Sequence, residues 1–275
     1  MERLRLDQLL LKRGFFDSRS RAQWAIRQGL VQVNGRALLK TGERVDAQCR
    51  LEVQDHPAFR YVGFGGMKLF TALEAFNVSV KDLWAMDIGA STGGFTDCLL
   101  QMGARRVLAV DVGTGQLHPK LRRDPRVISL EGTDIRGLQY PYIASLITVD
   151  VSFISLTQIL PDVMRFVDQD GTVILLIKPQ FEQDKRMRFR GGVIRNFELV
   201  LEAVDKVTRA AESCGLYVKE VTLAPVEEEK NVEVLALFRL YKPAFRMRVI
   251  HQLREYYDPT TPRLEAIPYS PEDMR

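Results

Sequence analysis

Short apolar segments alternate with amphipathic segments over most of the chain after residue 82. The apolar segments are rich in Val, Ile and Leu, a composition typical of strands buried on both faces of a sheet. They predict strands at 83–88, 106–111, 126–130, 144–150, 172–178, 216–223 and 232–239. Helical patterns fall at 94–102, 155–168 and 196–213, with a further helix around 66–76. This alternation predicts an α/β fold with a mostly parallel, seven-stranded sheet.

The first fifty residues show a different pattern, of two short helices followed by a hairpin. The segment "LRLDQLLLKRG" spaces leucines, from Leu4 onward, along one face of a helix expected to end at Gly14. The segment "DSRSRAQWAIRQG" predicts a second helix, capped by Asp17 or Ser18 and ended by Gly29. An Asn-Gly pair inside "LVQVNGRALL" separates two alternating segments, which is a strong signal for a hairpin.

These patterns divide the chain into three parts. We expect a small α+β domain at 1–60, which includes a linker near 51–62, then a catalytic domain at 61–241 and a Pro-rich extension at 242–275. The middle part is long enough for a sizeable core. In parallel sheets of this kind, ligands bind outside the carboxyl ends of the strands.

Charge is concentrated in the first domain. Residues 1–50 contain eleven Lys or Arg and five Asp or Glu, a net charge of +6, whereas the whole chain carries +4. A basic domain of this kind is expected to bind a polyanion, and a solvated basic face without a partner is the alternative. The candidate RNA-binding residues, expected to project from the helices and the hairpin, are Lys12, Arg13, Arg19, Arg21, Arg27, Arg36 and Lys40.

Composition disfavours several other classes of protein. No apolar run approaches the roughly 18 residues that cross a bilayer, and the first ten residues are too charged for the apolar region of a signal peptide. Cys49, Cys98 and Cys214 lie far apart, which fits neither a disulfide framework nor a zinc site. We therefore expect a cytoplasmic protein that needs no membrane and no metal.

A glycine-rich turn follows the first strand of the predicted sheet. "MDIGASTGGFTDCLLQMGARRVLAVDVG" reads as strand, turn, helix and second strand, and Asp111 at its end is placed to bind ribose hydroxyls. A dinucleotide site has the same layout, but its glycines are spaced G-x-G-x-x-G, whereas here the spacing is G-x-x-x-G-G. An acid before the turn is more typical of S-adenosylmethionine sites, although the glycines could simply close a tight turn. The candidate cofactor-binding residues are Asp87, Gly89, Ser91, Gly93, Gly94, Asp111 and Asp134.

Asp134 and the end of the fourth strand extend this site. Asp134 is expected either to reach the adenine edge or to cap a helix. "ITVDVSFISL" places Asp150 at the carboxyl edge of the sheet, where amino-group methyltransferases usually carry an Asn/Asp-Pro-Pro-aromatic tetrad that is absent here. Cys98 and Cys214 fall in helical patterns, so neither is placed to be the nucleophile of a pyrimidine carbon-5 methyltransferase. With amino-group and carbon-5 methylation disfavoured, methylation of an oxygen is the reaction that remains.

A lysine at the end of a buried strand fits that chemistry. Lys178 follows "TVILLI" and Pro179 stops the pattern. A ribose hydroxyl must lose its proton as it attacks, and a lysine serves as the base only when desolvation or a nearby cation lowers the pKa of its ammonium group. Lys68, Asp150 and Glu233 are the candidates to complete a catalytic set with Lys178. The alternative is a lysine that extends from the strand end to solvent.

The basic segment resembles a known RNA-binding domain. "SRSRAQWAIRQGLVQVNGRALLKTGERV" is similar to the small domain first described in a ribosomal small-subunit protein, and the likeness covers residues 3 to about 50. The resemblance implies that helix-borne arginines and the hairpin tip contact phosphates of a folded RNA, so that shape is recognised more than sequence.

The rest of the chain resembles the TlyA (hemolysin A-like) family of ribosomal RNA 2′-O-methyltransferases, whose catalytic half is related to FtsJ-type enzymes. The likeness rests on "DIGASTGGFTDCLLQMGA", "VDVSFISL", "IKPQFE" and "GGVIR" together with the basic domain. It implies S-adenosylmethionine as cofactor and a cytidine ribose of ribosomal RNA, in one or both subunits, as substrate. The family's Lys-Asp-Lys-Glu tetrad carries over to Lys68, Asp150, Lys178 and Glu233.

Two departures keep other interpretations open. Phe64 stands where the family usually has an arginine, and Lys230 precedes Asn231 where it tends to have glycine. A non-catalytic RNA-binding or ribosome-assembly factor is therefore the first alternative, and an NAD-dependent dehydrogenase, disfavoured by the glycine spacing, is the second. The basic segment 182–192 is expected to be either a flap over RNA or a solvated loop.

Overall fold

The computed structural model describes most of the chain. Its described residues are 2–16, 18–56, 59–184, 189–225, 230–241 and Leu253. The chain divides into one compact unit at Met1–Arg60 and a second at Tyr61–Arg275. Residues 185–188 of the expected flap, residues 226–229 and the expected extension, apart from Leu253, lie outside the described residues.

The first unit is a small α+β structure. Its elements are β1 (Arg3–Arg5), α1 (Leu6–Lys12), α2 (Arg19–Arg27), β2 (Val31–Val33), β3 (Arg36–Ala37), β4 (Arg44–Asp46) and β5 (Leu51–Val53). β1 pairs with β4, and β2 lies between β3 and β5 in a three-stranded antiparallel sheet. The apolar faces of α1 and α2 supply its buried core, with Leu6, Leu10 and Ile26 fully buried.

The turns of this unit follow the sequence signals. Asn34 and Gly35 both have positive φ, +51° and +79°, as a two-residue hairpin turn requires. Ser18 caps α2 by accepting a hydrogen bond from the Arg21 amide; Asp17, the alternative cap, lies outside the described residues. Gly29 follows the end of α2 with φ of +72°. The hairpin turn and the two ends of α2 are therefore determined by local turn-forming or capping residues.

Two expectations for this unit were wrong. The first helix begins at Leu6, and Leu4 lies in β1, because Arg3–Arg5 pairs along its whole length with Arg44–Asp46. The expected linker near 51–62 begins with β5 instead, since Leu51–Val53 pairs with β2. Both errors concern three-residue strands whose partners are distant in the sequence.

The second unit contains a seven-stranded sheet flanked by helices. Its elements are α3 (Gly65–Ala75), β6 (Trp84–Ile88), α4 (Gly94–Gln101), β7 (Arg106–Val110), α5 (Pro119–Arg122), β8 (Val127–Leu130), β9 (Ala144–Val149), α6 (Leu160–Val163), β10 (Val167–Ile177), α7 (Pro179–Glu182), α8 (Phe197–Ser213), β11 (Tyr217–Leu223) and β12 (Val234–Arg239). The strand order is β11-β12-β10-β9-β6-β7-β8, and β12 alone runs antiparallel to its neighbours. This confirms the predicted fold class.

The sheet is buried on both faces, as its apolar strands require. One apolar cluster includes Met86, Leu108 and Val204 of α8, and the cluster on the other face includes Leu69 of α3 and Leu99 of α4. No helix among the described residues is long and apolar enough to cross a membrane.

The predicted helix at 155–168 is broken into three short pieces. Two 3₁₀ segments, Leu156–Gln158 and Met164–Phe166, flank α6. Pro161 lacks an amide hydrogen, so a continuous helix could not run through it. β10 also begins at Val167, five residues before the expected start, with an irregular register before Thr172.

Candidate active site

Three strand ends at the carboxyl edge of the sheet carry charged residues. Asp150 follows β9, Lys178 follows β10, and Glu233 precedes β12. Because β12 is antiparallel to β10, its amino end lies at this same edge. The pairing of β10 with β12 ends at Ile177 and Val234, so Lys178 and Glu233 are the next opposite positions.

Four predicted catalytic side chains form two ion pairs at this edge. Lys178 Nζ lies 2.6 Å from Asp150 Oδ1 and donates a hydrogen bond to Ser152 Oγ at 2.9 Å. Lys68 Nζ donates to Glu233 Oε2. The four charged side chains are only 12% to 21% exposed. Each charge is thus largely removed from water but opposed by a partner of the other sign.

The two pairs lie beside each other. Gly65 begins α3, and a Cβ atom there would be 3.8 Å from Asp150 Oδ2. Lys68 follows one turn later on the same helix. The opposed positions of Lys178 and Glu233 connect the pairs from the other side. The structure therefore brings together all four members of the expected tetrad from four separate segments.

The glycine-rich turn runs directly beside Asp150. Gly89, Ser91 and Gly93 have positive φ, of +84°, +48° and +96°. A Cβ atom at Gly89 would lie 2.4 Å from the Asp150 carbonyl oxygen, so only glycine fits between β6 and β9. Gly94 begins α4 immediately afterwards. The turn therefore exposes backbone next to the charged cluster.

Asp111 holds this turn from the end of β7. Its Oδ2 accepts a hydrogen bond from the Ser91 amide and its Oδ1 one from the Gly113 amide, each at 2.7 Å. The residue is only half-buried. Each carboxylate oxygen can accept more than one hydrogen bond, so acceptor capacity remains for the hydroxyls of a ribose. The turn and this acid fit a nucleoside-bearing cofactor.

Asp87 does not lie on the surface of the turn. Its carboxylate is fully buried and accepts hydrogen bonds from Thr96 Oγ1 at 2.6 Å and Thr148 Oγ1 at 3.2 Å. Burial raises the pKa of Asp87 to about 7, and the two threonine hydrogen bonds oppose that shift. The expectation of direct ligand contact is corrected: Asp87 ties β6 to α4 and β9 underneath the turn.

The carboxylate of Asp134 is hydrogen-bonded to Arg136, two residues later in the chain. Arg136 donates to both carboxylate oxygens, with Nη2 2.6 Å from Oδ2, and its amide donates to Oδ1 at 2.9 Å. The hydrogen bonds and charge of Arg136 lower the pKa of Asp134. The following residues form a turn, so the helix-cap alternative was wrong. The contact with adenine stays a prediction.

Sequence reasoning missed the position of Phe153. Its side chain is 90% exposed, its φ is +67°, and its ring centroid lies 5.2 Å from that of Phe181. A bulky residue in the left-handed region is strained, which is common at functional sites. The signal was available, because Phe153 ends the Asp-Val-Ser-Phe segment that begins at Asp150. An exposed ring beside the tetrad is a surface on which an unpaired base can stack.

Three candidate RNA-binding arginines make hydrogen bonds within the first unit, although Arg13 and Arg19 stay exposed, so their contact with RNA stays a prediction. Arg13 donates to the carbonyls of Cys49 and Ala47, each at 2.6 Å, and Arg21 donates to that of Phe59 at 2.9 Å. Arg19 donates at 3.0 Å to the buried carboxylate of Asp7, to which Arg5 and Gln23 also donate. Their cationic heads stabilise loop carbonyls and a buried acid.

The other predicted cations of this unit are exposed. Lys12 lies 3.9 Å from Glu2, with both side chains more than 60% exposed. Arg27, Arg36 and Lys40 are exposed, and their side chains make no hydrogen bond or ion pair with any residue that the structure describes. These side chains can neutralise phosphates without first giving up an internal contact.

The chain was compared with known protein families and structures. The profile of the S4 domain matches residues 4–48, and that of the FtsJ-like methyltransferases matches residues 61–247. Hemolysin A of Brachyspira hyodysenteriae is 38% identical over 240 residues, which cover 86% of this chain and 99% of that protein. The 16S/23S rRNA (cytidine-2′-O)-methyltransferase TlyA of Mycobacterium tuberculosis is 39% identical over 241 residues, covering 86% and 90%. A solved structure of a candidate hemolysin from Streptococcus thermophilus matches with a TM-score of 0.70 and 38% identity, over 93% of this chain and 97% of that one.

Proposed function

The chain belongs to the FtsJ-like methyltransferase family, and from that premise we propose that it is an S-adenosylmethionine-dependent enzyme that methylates the ribose 2′-hydroxyl of a cytidine in ribosomal RNA. The observation that carries the proposal is the pair of lysine–carboxylate contacts beside the glycine-rich turn. The S4 domain supplies a unit for RNA binding, and the substrate is a ribosomal subunit or its RNA.

The bound cofactor supplies an electrophilic methyl group on a sulfonium centre. The turn at 89–94, in which Ser91 and Thr92 are exposed, and the remaining acceptor capacity of Asp111 are the groups that would hold it. Asp150 lies next to the turn, which supports an approach of the ribose from the side of the tetrad. Among the described residues no cluster of His, Cys, Asp and Glu could hold a metal ion.

Lys178 is proposed as the base. The ammonium group of Lys178 must first release a proton to water; the resulting amine then takes the proton of the 2′-hydroxyl as the oxygen–methyl bond forms and the sulfur–methyl bond breaks. Asp150, 2.6 Å away, then compensates the charge that the amine acquires, and Ser152 fixes the direction of Nζ. Lys68, held by Glu233, is placed to donate to the ribose oxygens. Alignment of these groups is expected to supply much of the rate enhancement.

The proposed reaction is tested by methyl transfer to ribosomal RNA. We expect tritium from labelled S-adenosylmethionine to enter RNA lacking the modification, at a site where alkaline hydrolysis is blocked, since a 2′-O-methyl group removes the attacking hydroxyl. Incorporation without such a block would place the methyl on a base. Absence of incorporation into free RNA, 30S and 50S subunits alike would favour the non-catalytic assembly factor.

Asp111→Ala is expected to weaken cofactor binding by about 10- to 100-fold, the range for losing hydrogen bonds to a charged group. The substitution also releases the Ser91 and Gly113 amides that shape the turn. Titration calorimetry with S-adenosylhomocysteine measures the effect. Asp124→Ala is the control, because that acid binds Arg126 at the other edge of the sheet. Equal affinity of the Asp111 variant and the wild type would contradict the ribose role.

Removal of three exposed cations from the S4 domain is expected to weaken RNA binding without loss of stability. The triple variant replaces Arg27, Arg36 and Lys40 with alanine. For each phosphate that the protein no longer neutralises, the slope of log K against log salt falls by about 0.7 to 0.9, so the slope should fall by about 2 if most of the three side chains bind RNA. Filter binding over a salt series measures the slope, and the Tm is expected to stay unchanged.

A second triple variant controls for total charge. Lys81, Arg105 and Arg123 are exposed on the catalytic unit, where Lys81 and Arg105 precede strands at the amino edge of the sheet. Their replacement by alanine removes the same charge but should leave the salt slope nearly unchanged. Equal reductions of the slope in the two variants would show that RNA affinity depends on the net charge of the protein rather than on a docking surface on the S4 domain.

A further inference from the structure

Two short segments that carry the proposed base and its partner run side by side beyond the sheet. The first, residues 150–156, begins with Asp150; the second, residues 178–182, begins with Lys178 and contains α7. They meet through the Asp150–Lys178 ion pair, through the hydrogen bond from Lys178 to Ser152, and through the ring contact of Phe153 with Phe181. We call these two segments the strap.

A buried carboxylate closes the far end of the strap. Glu182 is 3% exposed, and it ends α7, one turn after Lys178. Its Oε1 accepts a hydrogen bond from the Leu156 amide at 2.8 Å, and its Oε2 accepts one from Ser155 Oγ at 2.5 Å. Lys206 of α8 donates to the Glu182 carbonyl at 2.5 Å and lies 3.7 Å from Oε2. Among the residues that the structure describes, every polar partner of the carboxylate other than Lys206 belongs to the segment that carries Asp150.

Burying the carboxylate of Glu182 costs free energy, which suggests that its hydrogen bonds have a positioning role. A buried charge needs a partner and hydrogen bonds, and an apolar residue could fill the same space without that requirement. Leu156 and Ser155 lie outside the sheet ladder, so the pairing of β9 with β10 does not fix them. Leu156 packs in the apolar core, and the hydrogen bonds of Glu182 join this end of one segment directly to the end of the other.

We propose that Glu182 is a positioning residue that sets Lys178 against Asp150 and the ring of Phe153. This inference rests on the proposed function, because it concerns the geometry of the same reaction. Release of the far end would let the 150–156 segment move away from α7, and displacement of reacting groups by about 1 Å can cost about 100-fold in rate. Glu182 itself does not touch the ribose.

A simpler role in stability makes different predictions. If Glu182 only pins α7 to α8 through Lys206, its removal lowers the Tm and leaves the turnover of the folded enzyme unchanged. Val204 of α8 is fully buried in the apolar core, so Val204→Ala provides a variant with reduced stability that retains every side chain making a polar contact in the strap. The two variants are compared at a temperature at which both are folded.

The test combines turnover with hydrogen exchange. We expect Glu182→Ala to lower kcat for methyl transfer to ribosomal RNA by about 10- to 100-fold, with S-adenosylhomocysteine affinity unchanged and the pH profile of kcat shifted. Glu182→Gln should restore most of the rate, because an amide oxygen accepts from Leu156 and an amide N–H can pair with the Ser155 hydroxyl. Exchange of amides 150–156, measured by mass spectrometry, should accelerate in Glu182→Ala and not in Val204→Ala.

The outcomes test the positioning role of Glu182 separately from the proposed methyltransferase activity. Unchanged exchange in residues 150–156 of Glu182→Ala, or a kcat equal to that of Val204→Ala, would overturn the positioning role. A wild-type protein that transfers no methyl to any RNA would overturn the proposed function, while faster exchange in Glu182→Ala would still support Glu182 as the anchor of the strap.

Discussion

Lys178→Ala is expected to lower kcat for methyl transfer by about 10²- to 10⁴-fold, the range attributed to a positioned general base. Affinity for the cofactor should change by no more than a few-fold, because Lys178 contacts Asp150 and Ser152 and not the glycine-rich turn. Single-turnover methyl transfer measures the rate, and titration calorimetry measures the affinity. Lys81→Ala is the control and should behave as wild type, because Lys81 is an exposed lysine at the amino edge of the sheet, away from the active site.

A second substitution at the same position separates the base from a fixed positive charge. Arginine keeps the cation opposite Asp150 but cannot give up its proton in a protein. Lys178→Arg is therefore expected to be as inactive as the alanine variant. Substantial turnover by Lys178→Arg would mean that the side chain acts by charge alone, and that another group or water takes the proton.

Most of the fold could be predicted because the strands are short, apolar and buried on both faces. The strand expected at 106–111 is observed at Arg106–Val110, and the helix expected at 196–213 at Phe197–Ser213. Where a strand contains polar residues, the apolar pattern that predicts a buried strand is absent. β10 starts at Val167 and includes Asp168 and Asp170, which are exposed.

The site was predictable wherever the topology alone determines a position. Asp150 and Lys178 follow parallel strands, so the carboxyl-edge rule placed both. The contact of Lys68 with Glu233 joins residues 165 apart in sequence and depends on β12 being the one antiparallel strand. No local pattern specifies that pairing, and only the resemblance to a known tetrad indicated it.

Errors arose where an expected ligand-binding side chain had an internal partner. Asp87 was assigned to the cofactor from its position before the turn, but Thr96 and Thr148 occupy its carboxylate. Arg19 was expected to face RNA; it donates to Asp7 while its side chain stays 53% exposed, so its contact with RNA stays a prediction. Burial raises the pKa of the Asp7 carboxyl, and its hydrogen bonds lower that pKa well below the ordinary range. A charged residue near a site can serve the ligand or the fold, and three-dimensional contacts decide between the two.

The Lys68–Glu233 contact is expected to behave as one functional unit. Lys68→Ala and Glu233→Ala should each lower kcat by about 100-fold, a reduction at the lower end of the range for a positioned catalytic group, because each leaves a largely buried charge without its partner beside the ribose site. The double variant should be little worse than the poorer single variant, since residues that share one interaction are not additive. Steady-state kinetics of the four proteins gives the coupling energy.

An exposed pair provides the matched control for this cycle. Asp205 and Arg209 are in contact at 2.7 Å on α8, with side chains 43% and 70% exposed. Their alanine variants should leave kcat near the wild-type value, because water replaces each missing partner. If the effects of Lys68→Ala and Glu233→Ala simply multiplied in the double variant, the two residues would act independently. The tetrad would then consist of one working pair, Lys178 with Asp150, and two separate substrate contacts.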